Sequence, residues 1–161
     1  MLWRASEFMH NTITRPQGDS KDQAQGHVMF KDDKIGAVYA HYVHLKDALV
    51  ASKGDEAKKA AAELQKSLAP LSNTKKAVES ASRISATSDL EEQRKEFSTL
   101  SNEMKSLVKA SKLSMGSIYV EYCPMANNNE GAYWLSNEKQ IKNPYFGDAM
   151  LKCGSVKETI Q

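Results

Sequence analysis

A chain of 161 residues suits one domain with a hydrophobic core of its own. With 40% hydrophobic and 26% charged residues it has the make-up of a soluble globular protein. A net charge of +2, with acidic and basic residues interleaved, excludes a nucleic-acid footprint or a basic membrane-binding face, and no apolar run approaches the ~20 residues of a membrane helix.

The opening stretch, residues 1–33, is polar and weakly periodic, with Arg15-Pro16-Gln17-Gly18-Asp19 inside it, and reads as a poorly ordered leader. It lacks the apolar segment of a signal peptide. Residues 34–161 read as a single domain. Ile35, Val38, Tyr39, Tyr42, Val43, Leu45 and Leu49 fall at steps of three and four, which predicts a helix from about Lys34 to Ser52 ended by Gly54. Ala57, Ala60, Ala61, Leu64 and Leu68 predict a second, from about Asp55 to Ala69, stopped by Pro70.

A third helix is expected over about Asn73 to Ser85, carrying Val78, Ala81 and Ile84. Ser88-Asp89-Leu90-Glu91 has the capping-box pattern and opens a fourth. Its seam is Leu90, Gln93, Phe97, Leu100, Met104 and Leu107. Four helices joined by short links predict a mainly α protein, an up-down four-helix bundle. The remainder, residues 113–161, changes character. Ser117–Tyr122 and Ala132–Leu135 read as two strands around Asn127-Asn128-Asn129-Glu130-Gly131, a small β-hairpin appended to the bundle. A turn at Asn143–Gly147 and a short helical piece, Asp148 to Leu151, follow.

Candidate chemistry concentrates in this segment. Cys123-Pro124-Met125 places two sulfurs on one side of an extended chain, and Met150 with Cys153 places two on one face of a helical turn. Thiolate and thioether are soft ligands that select ions such as Cu(I). Two plainer readings stay open: core packing, and a disulfide between Cys123 and Cys153. His41 and His44, three apart on the first helix, are a candidate half-site for Cu, Zn or Ni, against a reading as solvated side chains. No phosphate-binding glycine loop and no nucleophile elbow occurs, and the chain reads as a non-enzyme.

Several stretches together carry a resemblance: Tyr39-Ala40-His41-Tyr42-Val43-His44-Leu45-Lys46-Asp47-Ala48-Leu49, Tyr122-Cys123-Pro124-Met125-Ala126, Gly131-Ala132-Tyr133-Trp134-Leu135-Ser136, Asn143-Pro144-Tyr145-Phe146-Gly147 and Cys153-Gly154-Ser155-Val156. Over roughly residues 34–161 the sequence resembles a bacterial exported domain-of-unknown-function family. Its members are small periplasmic proteins or lipoproteins, or domains appended to copper/silver efflux adaptors, and are described as copper- or cation-binding. The C-terminal signature is specific, whereas the helical middle is generic. The resemblance implies Cys123, Met125, Met150 and Cys153 as metal-facing residues. It implies a periplasmic or membrane-anchored protein, although the export signal expected of the family is not found at the N-terminus, which leaves a cytoplasmic location open.

The resulting expectation is a soft-metal accessory of heavy-metal handling that binds Cu(I). The competing expectation is an interaction module in which Cys123 and Cys153 form a disulfide and Tyr122, Tyr133 and Trp134 dock onto an efflux adaptor.

Overall fold

The first described element is a strand, within what the sequence reads as the end of the leader. The computed structural model describes residues 27–161, and the part of the expected leader covering residues 1–26 lies outside them. Strand β1 (Met29–Phe30) pairs antiparallel with β2 (Leu113–Met115), burying Phe30. Asp32 then caps helix α1 (Asp33–Val50), its carboxylate accepting from the Lys34 amide at 2.9 Å. The polarity of residues 31–33 is therefore a helix start.

Helix α1 buries Ile35, Val38, Tyr39, Tyr42, Leu45 and Leu49, as their spacing predicts. Its end differs from expectation. Ser52, at φ 57°, takes the left-handed position, while the Ser52 and Lys53 amides bond to Leu49 and Ala48 carbonyls. Gly54 instead opens α2 (Gly54–Leu68). It is glycine because a Cβ there would lie 2.2 Å from the Ser88 carbonyl oxygen. Helix α2 buries its predicted alanine-leucine stripe, and α3 (Lys75–Ser85) buries Ala77, Ala81 and Ile84.

Helix α4 (Leu90–Lys109) buries Gln93, Phe97, Leu100, Met104 and Val108, with Leu90 and Leu107 only half-buried. The capping box does not form. Asp89 is the N-cap, accepting from the Glu91 amide at 3.1 Å, while the Ser88 hydroxyl donates to Asp55 at 2.7 Å. Each helix packs on the next in sequence, and α4 also packs on the C-terminal sheet. No described helix is long and apolar enough to cross a membrane.

The C-terminal part is a three-stranded antiparallel sheet of order β4-β3-β5, not a two-stranded hairpin: β3 (Ile118–Cys123), β4 (Ala132–Ser136) and β5 (Ser155–Ile160). Nor is it an appendage. Ile118, Val120, Trp134 and Leu135 are as deeply buried as the helix core. A column of rings joins the two parts: Phe30, Tyr39, Tyr42, Phe97, Tyr145 and Trp134 follow one another at centroid distances from 5.2 to 6.2 Å. At its centre the Tyr42 hydroxyl accepts from the Leu135 amide at 3.0 Å and lies 2.7 Å from the Ser101 hydroxyl, so one side chain links α1, α4 and β4.

Candidate metal centre

The turn between β3 and β4 carries the first sulfur pair. Asn127, Asn128 and Asn129 all adopt positive φ (58°, 56° and 66°), the left-handed region that asparagine tolerates better than most residues. This compact reversal returns the chain to β4 and leaves Met125 at the corner, 47% exposed. Cys123, the last residue of β3, is fully buried.

The second pair is held by a polar loop. Asn143, fully buried, accepts from the Tyr145 and Phe146 amides and donates to the Cys153 carbonyl at 2.9 Å. Arg94 donates to the carbonyls of Pro144 and Leu49, each at 2.7 Å, tying the same loop to the end of α1. Burial draws the Arg94 guanidinium below its usual range. The chain then passes through the turn Gly147–Met150 and enters β5, whose Ser155 lies opposite Tyr122. That register sets Cys153 beside the end of β3.

The two cysteines are consequently in contact, Sγ to Sγ 2.7 Å, both as free thiols. The adjoining Cys123 thiol and then burial push the Cys153 thiol up, against a smaller opposing pull from the Met125 backbone amide. Cys153 is half-buried, so it is the accessible sulfur of the two. Met125 and Met150 both line one cleft of about 700 Å3, together with Leu90, Arg94, Lys95 and Asn128. The structure thus brings the two cysteines into contact at the sheet end and places Met125 and Met150 on one cleft, which neither cysteine lines.

Of the helix histidines, His41 is half-buried and His44 is exposed. The His44 Nε2 lies 2.7 Å from Glu56 on α2, in an exposed pair. Among the described residues no group of three or more His, Cys, Asp or Glu gathers as a metal cage. Thiol and thioether sulfurs are soft donors, of the kind that suit a soft ion better than a hard one.

Of the expected docking aromatics, Tyr122 and Tyr133 are half-exposed and lie against each other, ring centroids 4.7 Å apart. The Lys105 and Lys157 ammoniums sit over them at 4.1 and 5.8 Å. Trp134 cannot dock with a partner, because it is fully buried against Tyr145. Alternation explains this: Trp134 points to the opposite face from Tyr133.

Glu121 was not singled out by sequence. It faces Trp134 across β3 and β4, fully buried, and neither carboxylate oxygen has a hydrogen-bond partner among the described residues. Burial raises its pKa to about 8, against the pull of the Lys46 ammonium. A glutamate inside an apolar strand was the available signal.

Residues 38–116 match the family described as "Protein of unknown function (DUF3347)". No curated protein and no solved structure matches the chain. The matched stretch begins in α1 and ends just after β2, so it takes in the helices and stops before both sulfur pairs. The similarity to that family is confined to residues 38–116.

Proposed function

We propose that this protein is a non-enzymatic accessory that captures Cu(I) and hands it on, acting outside the cytoplasm beside a heavy-metal efflux adaptor. The observation that carries the reading is the contact between Cys123 and Cys153, each two or three residues along the chain from a methionine, Met125 or Met150, that lines one cleft. Copper is cargo here. Cys123 and Cys153 supply the strong thiolate donors, and the neutral thioethers of Met125 and Met150 supply weaker ones that favour ligand exchange. An up-down four-helix bundle would be the rigid base on which the sheet presents this corner. The efflux and export elements of the reading rest on the C-terminal sequence resemblance alone.

A specific observation favours a second reading, the interaction module. Cys123 and Cys153, already in contact, need only a small approach to reach the ~2.05 Å of an S–S bond. In that reading the pair is oxidised to a disulfide. Tyr122 and Tyr133, half-exposed with Lys157 and Lys105 over their rings, then form the docking patch.

Titration of the full chain with Cu(I) under reducing conditions, read by native mass spectrometry, separates the two. Under the first reading the reduced protein takes up copper, Cys123→Ser and Cys153→Ser each abolish tight binding, and Met125→Leu and Met150→Leu weaken it less. His41→Ala and His44→Ala leave it unchanged. Failure of the reduced chain to take up copper overturns the metal reading, and a two-proton mass loss that persists through mild reduction then supports the disulfide.

A further inference from the structure

A second group of soft donors lies on the small β1–β2 ribbon. Met29 and Met115 are the most exposed large apolar side chains among the described residues, each at 53%. They are also cross-strand partners, Met29 directly opposite Met115. Opposed residues of an antiparallel pair project from one face with Cβ atoms about 4.5–5.5 Å apart. Two unbranched thioethers on that base can bring their sulfurs to a single point.

His27 supplies a third donor at the same place. Along the incoming strand Val28 and Phe30 are drawn into the protein, whereas His27 and Met29 are exposed, the alternation of an extended chain. Gly116, directly after Met115, holds φ at +87° and packs so tightly on His27 that a Cβ would lie 2.1 Å from its carbonyl oxygen. The exit of β2 and the entry to β1 are thus locked side by side, with an imidazole and two thioethers on the outer surface. Core packing does not account for methionines left half in water, and imidazole with thioether is a donor set suited to Cu(I).

We propose that His27, Met29 and Met115 form a surface site for a soft monovalent metal ion, Cu(I) or Ag(I). The site shares no residue with the cysteine corner. Its biological use as a first point of capture rests on the copper reading above. All three ligands are neutral, so the ion keeps its full charge and exchanges more readily than it does from thiolates.

The test uses Ag(I), which is redox-inert, with the full chain carrying Cys123→Ser and Cys153→Ser together. Binding is read by native mass spectrometry and by the Met methyl and His ring resonances in NMR. The expected result is that this variant still takes up one Ag(I), and that the Met29 and Met115 methyls and the His27 ring shift together. Adding Met29→Leu and Met115→Leu, mild changes at exposed positions, removes that ion. The proposal is overturned by no Ag(I) uptake by the cysteine-free chain, or by uptake with Met29 and Met115 unmoved. Uptake that survives the leucine substitutions also overturns it, and leaves the pair as an apolar contact patch. The Met29→Leu/Met115→Leu chain with both cysteines intact reads the cysteine site alone, so failure of one site is distinguishable from failure of the other.

Discussion

Glu121 shows how costly one buried side chain can be. Its two oxygens lack partners, and burial lifts its pKa from the ordinary 4.5 to about 8. The folded chain therefore holds a proton between these values that the unfolded chain has released. The sign follows: the stability that the protonated carboxyl allows is fully present below the unfolded value and falls as pH rises through about 8. Denaturant midpoints should drop between about pH 5 and about pH 9, and Glu121→Gln, which keeps the shape and cannot ionise, should flatten the drop. An equal drop in wild type and variant would place the titrating group elsewhere. Lys46, nearly buried on α1 with its ammonium 3.0 Å from Asp47, is the cation closest in role to a partner for Glu121.

Among the elements, α4 is where a familiar sequence pattern and the structure part. Ser88-Asp89-Leu90-Glu91 has the spacing of a capping box, yet Asp89 makes the cap and Ser88 turns away to Asp55 on α2. A side chain with a partner on another helix is no longer available to its own. Asp89→Ala should cost about 1 kcal/mol of stability in urea unfolding. Ser88→Ala should cost less, since its hydrogen bond is exposed. The reverse order would restore the capping box. Strand β5 shows a similar effect. Ser155, Val156, Lys157 and Thr159 are exposed at the sheet edge, and Glu158 is tied to Lys109 of α4 at 2.7 Å. Charged side chains suit an edge that must not pair with another molecule, and they remove the apolar alternation by which a strand is recognised.

For the molecule as a whole, the ring column makes helices and sheet one unit. Phe97 sits at its middle, fully buried between Tyr42 and Tyr145 at 5.2 and 5.7 Å. Phe97→Ala should cost roughly 3–5 kcal/mol by equilibrium unfolding. It should also loosen Tyr145, which donates to the Tyr133 carbonyl at 2.6 Å and packs on Trp134. Loss of α-helical signal and of the buried Trp134 fluorescence should then coincide. Two separate transitions would mean that the sheet folds on its own.

The sequence alone determined the helices, because an amphipathic helix writes its buried face at steps of three and four regardless of its partner. Ile35, Val38, Tyr39, Tyr42, Leu45 and Leu49, and Phe97, Leu100 and Met104, are buried where that spacing put them, while Val43, Leu90 and Leu107 are only half-buried. It also determined β3, β4 and the left-handed asparagine turn, since those preferences reside in single residues: branched and aromatic side chains for the strands, Asn for positive φ. Tertiary structure decided what depends on register between distant segments. Only the pairing of Tyr122 with Ser155 brings Cys123 against Cys153, and only the return of residues 113–115 to β1 sets Met115 opposite Met29. Local spacing shows which face a sulfur occupies. Which other face it meets is fixed by strand pairing across thirty residues or more, information that no short stretch of the chain contains.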